Sequence, residues 1–73
     1  MNKKALRSVM ALHGDTNKTL AEFLGMTVQA FSYKINERTT AAGNKAEFKQ
    51  GEIALIRDRY KLNADDVDRI FFN

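Results

Sequence analysis

Seventy-three residues, 44% apolar and 29% charged, suffice for one folded domain with a small core and not for two. With no cysteine and a single histidine, His13, the chain cannot be stapled by disulfides or closed around a zinc ion, so apolar packing must hold it. Twelve Lys and Arg against nine Asp and Glu leave a net charge of +3, a hint of a polyanionic partner, and the absence of proline favours uninterrupted helices.

Leu6, Val9, Met10 and His13 recur at the spacing of one helix face, and Gly14 offers a left-handed stop for that first helix. His13 closes the stripe and reads as a packing residue at the helix end, since no second His or Cys exists to join it in metal binding or catalysis. Asp15 and Thr16 offer an N-cap for a short second helix with Leu20, Ala21 and Leu24 inward, broken at Gly25. Thr27 caps a third helix with Phe31 and Ile35 four residues apart on its inner side and Ala30 close by. Its outer side is Val28, Gln29, Ser32, Tyr33 and Asn36.

From Glu37 to Ala46 the periodicity dissolves into a loop of about ten residues, longer than most connections, which carries Arg38, Thr39, Thr40, Asn44 and Lys45. Phe48 returns to the core. Ile53, Ile56 and Tyr60, with Leu55 and Leu62 beside them, mark a fourth helix that contains Gly51. Asn63 caps a last helix from Ala64 to about Ile70, with Asp65 and Asp66 in the first turn, where the helix dipole favours negative charge. Those two and Asp68 read as a solvated acidic turn and not as metal ligands. Ile70, Phe71 and Phe72 leave two alternatives open, closure of the core or pairing with a second subunit. The expected fold class is all-α, five short helices in a single domain over residues 1–73.

The charge is uneven. Residues 1–38 hold Lys3, Lys4, Arg7, Lys18, Lys34 and Arg38 against Asp15, Glu22 and Glu37, which is the whole net excess, while residues 39–73 are balanced. A nucleic acid would thus meet the first half and the loop after it. The longest wholly apolar run, Ile53 to Ile56, falls far short of the ~20 residues that span a bilayer, and no signal-like apolar stretch follows Met1-Asn2-Lys3-Lys4. A cytoplasmic protein with no membrane partner is expected. No catalytic constellation stands out: there is no Cys nucleophile, no glycine-rich phosphate loop and no nucleophile elbow, so no enzyme, cofactor or small-molecule ligand is expected.

The informative segment runs from Asn17 to Asn36: a helix, a sharp turn at a glycine and a second helix, which is the helix-turn-helix unit. Ala21 supplies the small side chain needed where two helices cross steeply, Gly25 the positive φ, and Leu20, Leu24, Met26 and Phe31 the wedge between them. The face left over on the second helix is uncharged for the most part and rich in hydrogen-bonding groups, the kind that reads base edges.

Leu20-Ala21-Glu22-Phe23-Leu24-Gly25-Met26-Thr27-Val28-Gln29-Ala30-Phe31-Ser32-Tyr33-Lys34-Ile35-Asn36 resembles the Cro/repressor (XRE-type, lambda-repressor-like) helix-turn-helix family of phage and bacterial regulators, close to its small phage repressor-like members. The resemblance implies a lambda-repressor-like domain with the motif at helices 2–3 and a recognition helix over about 28–37 in the major groove. It implies base reading by Val28, Gln29, Ser32 and Tyr33, with Gln29 suited to adenine and Val28 to a thymine methyl. It implies backbone contacts from Asn17, Thr27 and Asn36, with Lys18, Lys34, Arg38 and Lys45 as the cationic component. The function it implies is a repressor, phage-encoded or of prophage origin, that binds a pseudo-palindromic DNA operator as a homodimer, with half-sites about one helical turn (~34 Å) apart. Two departures from the family stand out: the stretch after Asn36 is longer than the family's glycine turn, and Glu37 is an acidic residue that a DNA face would not choose. The alternative is a protein-interaction module of the same fold, such as an antitoxin, pairing through the C-terminal aromatics.

Overall fold

Each helix starts where a side chain takes up a backbone N–H that the helix leaves unpaired. Asn2 Oδ1 accepts from Ala5 N–H at 3.1 Å and opens α1, Lys3–Leu12. Thr16 Oγ1 accepts from Thr19 N–H at 3.2 Å while Thr19 Oγ1 accepts from Thr16 N–H at 2.8 Å, a reciprocal cap for α2, Asn17–Leu24. Thr27 caps α3, Val28–Ile35, by accepting from Ala30 N–H at 3.1 Å. For α4, Gln50–Tyr60, the lysine at the cap has no acceptor to offer, and Glu52 Oε1 takes up Lys49 N–H at 2.9 Å instead. Asn63 opens α5, Ala64–Phe71, by accepting from Asp66 N–H at 2.8 Å. The computed structural model describes residues 1–39 and 41–72. Thr40, one of the polar loop residues named above, lies outside them. Among the described residues the chain is all-α, with five helices and no strand, only an isolated antiparallel bridge between Thr39 and Lys45. No helix among them is long and apolar enough to cross a membrane.

The core is built from the inward face of every helix. Leu6 and Met10 of α1, Leu20 and Ala21 of α2, Phe31 and Ile35 of α3, Ile56 and Tyr60 of α4, and Ile70 and Phe71 of α5 are all buried, with Phe48 from the loop. Phe48 stands at the centre of an aromatic chain, edge-on to Phe31 at 5.6 Å and to Phe71 at 6.1 Å between ring centroids. α2 packs on α3, and both α1 and α4 pack on α5. The link from Asn2 N–H to the Ile70 carbonyl, 2.6 Å, ties the start of α1 to the last helix.

The C-terminal side chains and Leu55 divide between core and solvent. Ile70 is fully buried and Phe71 is 8% exposed, which places both in the core of the chain; of the three dimer candidates Phe72, 65% exposed, stands in solvent. The cause is α5 itself, whose single apolar stripe of Val67, Ile70 and Phe71 lies against the core and leaves Phe72 just beyond the last turn. Leu55, beside the Ile53, Ile56 and Tyr60 face of α4, is 43% exposed because it lies one residue short of Ile56 on the outward side.

Asp15 does not cap α2. Its carboxylate turns to α4 and accepts from Arg59 Nε at 2.9 Å, Arg59 Nη2 at 2.8 Å and the Tyr60 hydroxyl at 2.7 Å. The Arg59 guanidinium also sits 4.6 Å over the Phe23 ring, and His13 packs on Tyr60 at 4.8 Å, so one cluster joins the α1–α2 turn, α2 and α4. Hydrogen bonds from Arg59 and then Tyr60 hold the Asp15 carboxyl well below the usual range, while burial, then the hydrogen bond to Asp15, pushes the Tyr60 phenol up.

Candidate functional site

α2 and α3 are joined by only Gly25, Met26 and Thr27. Gly25 has φ +73, a conformation that costs a residue with a Cβ, and it lets Gly25 N–H reach the Glu22 carbonyl and Met26 N–H reach that of Ala21, at 3.1 and 3.0 Å. Ala21 of α2 has no exposed surface and lies in the core. α3 then divides sharply. Phe31 and Ile35 are buried in the core, whereas Val28 is 44% and Tyr33 39% exposed, and Gln29 is exposed beside them. Ser32 is half-buried and its hydroxyl accepts from Asn36 Nδ2 at 3.3 Å. Gln29 Nε2 donates to the Tyr33 hydroxyl at 3.0 Å. The candidate reading residues therefore form one surface of amide, hydroxyl and methyl groups without a carboxylate, able to donate and accept hydrogen bonds.

The cations divide into two groups. Lys18 is exposed on the first turn of α2 beside half-buried Asn17, and Arg38 is exposed with its guanidinium carbon 5.6 Å from the Tyr33 ring centroid. Lys3 Nζ donates to Asn36 Oδ1 at 3.2 Å, which brings α1 to the end of α3. Lys34 and Lys45, by contrast, are turned to carboxylates of the chain. Lys34 Nζ lies 2.8 Å from Glu52 Oε1, each side chain 19% exposed, and Lys45 is ion-paired with Glu37. Burial raises the Glu52 carboxyl, but the bonds from Lys34 and from Lys49 N–H outweigh it and leave the group below its ordinary value. Thr27 Oγ1 is engaged as the cap of α3. Lys34→Ala is thus expected to lower stability by about 1 kcal/mol, roughly 4–8 °C in thermal midpoint, by stranding Glu52. Circular dichroism melting checks it: an unchanged midpoint would free Lys34 for the surface role that the resemblance implies.

Glu37, out of place on a DNA face by its charge, is directed inward. It adopts φ +52, and its carboxylate pairs with Lys45 and, at 2.9 Å, with the Met1 ammonium. Those two cations, Lys45 first, lower its pKa. The loop folds back over this pair: Arg38 N–H donates to the Tyr33 carbonyl at 2.9 Å and Ala46 N–H to the Arg38 carbonyl at 2.8 Å. The described residues of the longer stretch after Asn36 are therefore tied to α3 and to one another, and Arg38 is brought to the Tyr33 ring. Lys3 and the Glu37 anchor were not among the candidate residues. Lys3 and Asn36 are 33 residues apart, and no local pattern announces their meeting. No family model, curated protein or solved structure matches the chain.

Proposed function

We propose that the protein is a sequence-specific DNA-binding repressor, in which α2 and α3 act as a helix-turn-helix and α3 enters the major groove of a pseudo-palindromic operator bound by a homodimer. One observation carries this reading: α3 buries Phe31 and Ile35 while Val28, Gln29 and Tyr33 stay in solvent on a face with no acidic group. The three-residue turn, the fully buried Ala21 and the ion-paired Glu37 support it. Arg38, Lys18 and Lys3 are the cations best placed for phosphates, with Asn17, Thr27 and Asn36 next to them; Lys34 and Lys45 would first have to leave their carboxylates.

Selection of binding sites from random duplexes tests the proposal. A palindromic consensus, together with an affinity that falls with salt at a slope of about −0.9 per phosphate contact, is the expected result. Binding to mixed DNA that stays flat from low to moderate salt would overturn it. Gln29→Ala is expected to cost about 1–3 kcal/mol on the selected site and to relax preference at one base position, read from titrations against single-base variants of that site. A second reading, a protein-interaction module pairing through the C-terminal aromatics, keeps the exposed Phe72 in its favour. It predicts binding to a protein partner that is almost insensitive to salt.

A further inference from the structure

On the open face of α3, Gln29 and Tyr33 stand one turn apart, and the amide of the first donates through Nε2 to the hydroxyl of the second at 3.0 Å. Tyr33 is in turn held by Arg38, whose guanidinium carbon lies 5.6 Å from the ring centroid and whose N–H bonds the Tyr33 carbonyl at 2.9 Å. The phenol therefore has a fixed place, and the glutamine amide a fixed partner. The direction of that bond, with the hydroxyl accepting from Nε2, sets which edge of the amide faces outward. With one N–H directed at Tyr33, Gln29 presents its carbonyl oxygen and its second N–H, one acceptor and one donor, which complement N6 and N7 of adenine. Turned over, with the Tyr33 hydroxyl donating to the carbonyl, Gln29 would present two N–H groups, which complement O6 and N7 of guanine.

We infer that Tyr33 is a positioning residue that sets adenine-over-guanine selection at the base pair facing Gln29, and is not itself a reader of bases. The inference rests on the reading of α3 as the helix that enters the groove. Arg38 completes the device, because the first cation of the loop steadies the ring that steadies the glutamine. Base identity at one position is thereby tied to the stretch after Asn36, which Glu37 anchors to Lys45 and Met1.

Tyr33→Phe tests this, since it removes the hydroxyl and keeps the ring under Arg38. Selection from random duplexes is run with the full chain as wild type, Tyr33→Phe, Gln29→Ala and the double variant. The wild type is expected to select adenine at one position per half-site. In Tyr33→Phe the adenine-to-guanine ratio at that position is expected to fall roughly three- to tenfold, with preferences elsewhere kept. In the Gln29→Ala background the same change is expected to add nothing, because the two residues act as one unit. An unchanged ratio in Tyr33→Phe overturns the inference and leaves the DNA-binding reading standing, as does a wild type that selects guanine there. Equal blunting at every position marks a merely structural tyrosine and also overturns it. A wild type without any sequence preference overturns both.

Discussion

Phe71→Ser is expected to unfold the domain and not to split a dimer. The side chain is 8% exposed and meets Phe48 edge-on at 6.1 Å, and Phe48 meets Phe31 at 5.6 Å, so the change opens a cavity at one end of the aromatic chain. Loss of a buried phenylalanine costs about 3–5 kcal/mol, and the serine hydroxyl left in its place adds an unpaired polar group. A domain of this size has about 4–11 kcal/mol to lose. Urea titration followed by circular dichroism is expected to find Phe71→Ser largely unfolded without denaturant. Phe72→Ser, at a residue 65% exposed, is the matched control and should stay close to wild type. A folded Phe71→Ser chain that sediments as a monomer where wild type is a dimer would move Phe71 from the core to an interface.

The second large effect belongs to Asp15. Asp15→Ala removes the acceptor shared by Arg59 and Tyr60 and is expected to cost about 2 kcal/mol, a figure kept low because Arg59 is 31% exposed and regains water. The pH dependence carries the sharper signature. The folded Asp15 carboxyl titrates below its unfolded value of about 3.9, so its stabilisation is complete above that pH and drains away as pH falls through the lower folded value. Tyr60 is shifted the other way: its raised phenol stabilises the fold below its unfolded value of about 10, and that contribution is lost as pH rises further. Wild type should therefore lose thermal midpoint on both flanks, and Asp15→Ala should lose less on each. Some acid sensitivity should persist in the variant, because Glu37 and Glu52 are also held low. Parallel wild-type and variant curves from about pH 5 down to pH 2 would contradict the assignment.

What was legible in the sequence was local. Thr27 and Asn63 announce their helices because a cap is a bond between a side chain and a backbone three residues on, and Gly25 announces the turn because few other residues accept its φ. The division of α3 into Phe31 and Ile35 within and Val28, Gln29 and Tyr33 without follows from helical periodicity. What joins distant segments was not legible. Asp15 looks like a cap by its neighbours, yet Arg59, 44 residues away, claims it. Lys34 looks like a surface cation until Glu52 is brought 2.8 Å from it. Ile70 and Phe71 look equally fit for a core or an interface, and only the position of α5 against α1 and α4 decides. The capping of α4 was hidden for the same kind of reason, since Lys49 cannot cap and the glutamate one turn later does it instead.

The division of labour around α3 has an evolutionary consequence. Val28 and Gln29 stand in solvent while Phe31 and Ile35 are buried, so the two sets answer to separate selective pressures. On the proposed reading of α3 as the helix that enters the groove, substitutions at 28 and 29 retune what is recognised while the scaffold keeps its melting point, and a lineage can diverge in target without passing through an unstable ancestor.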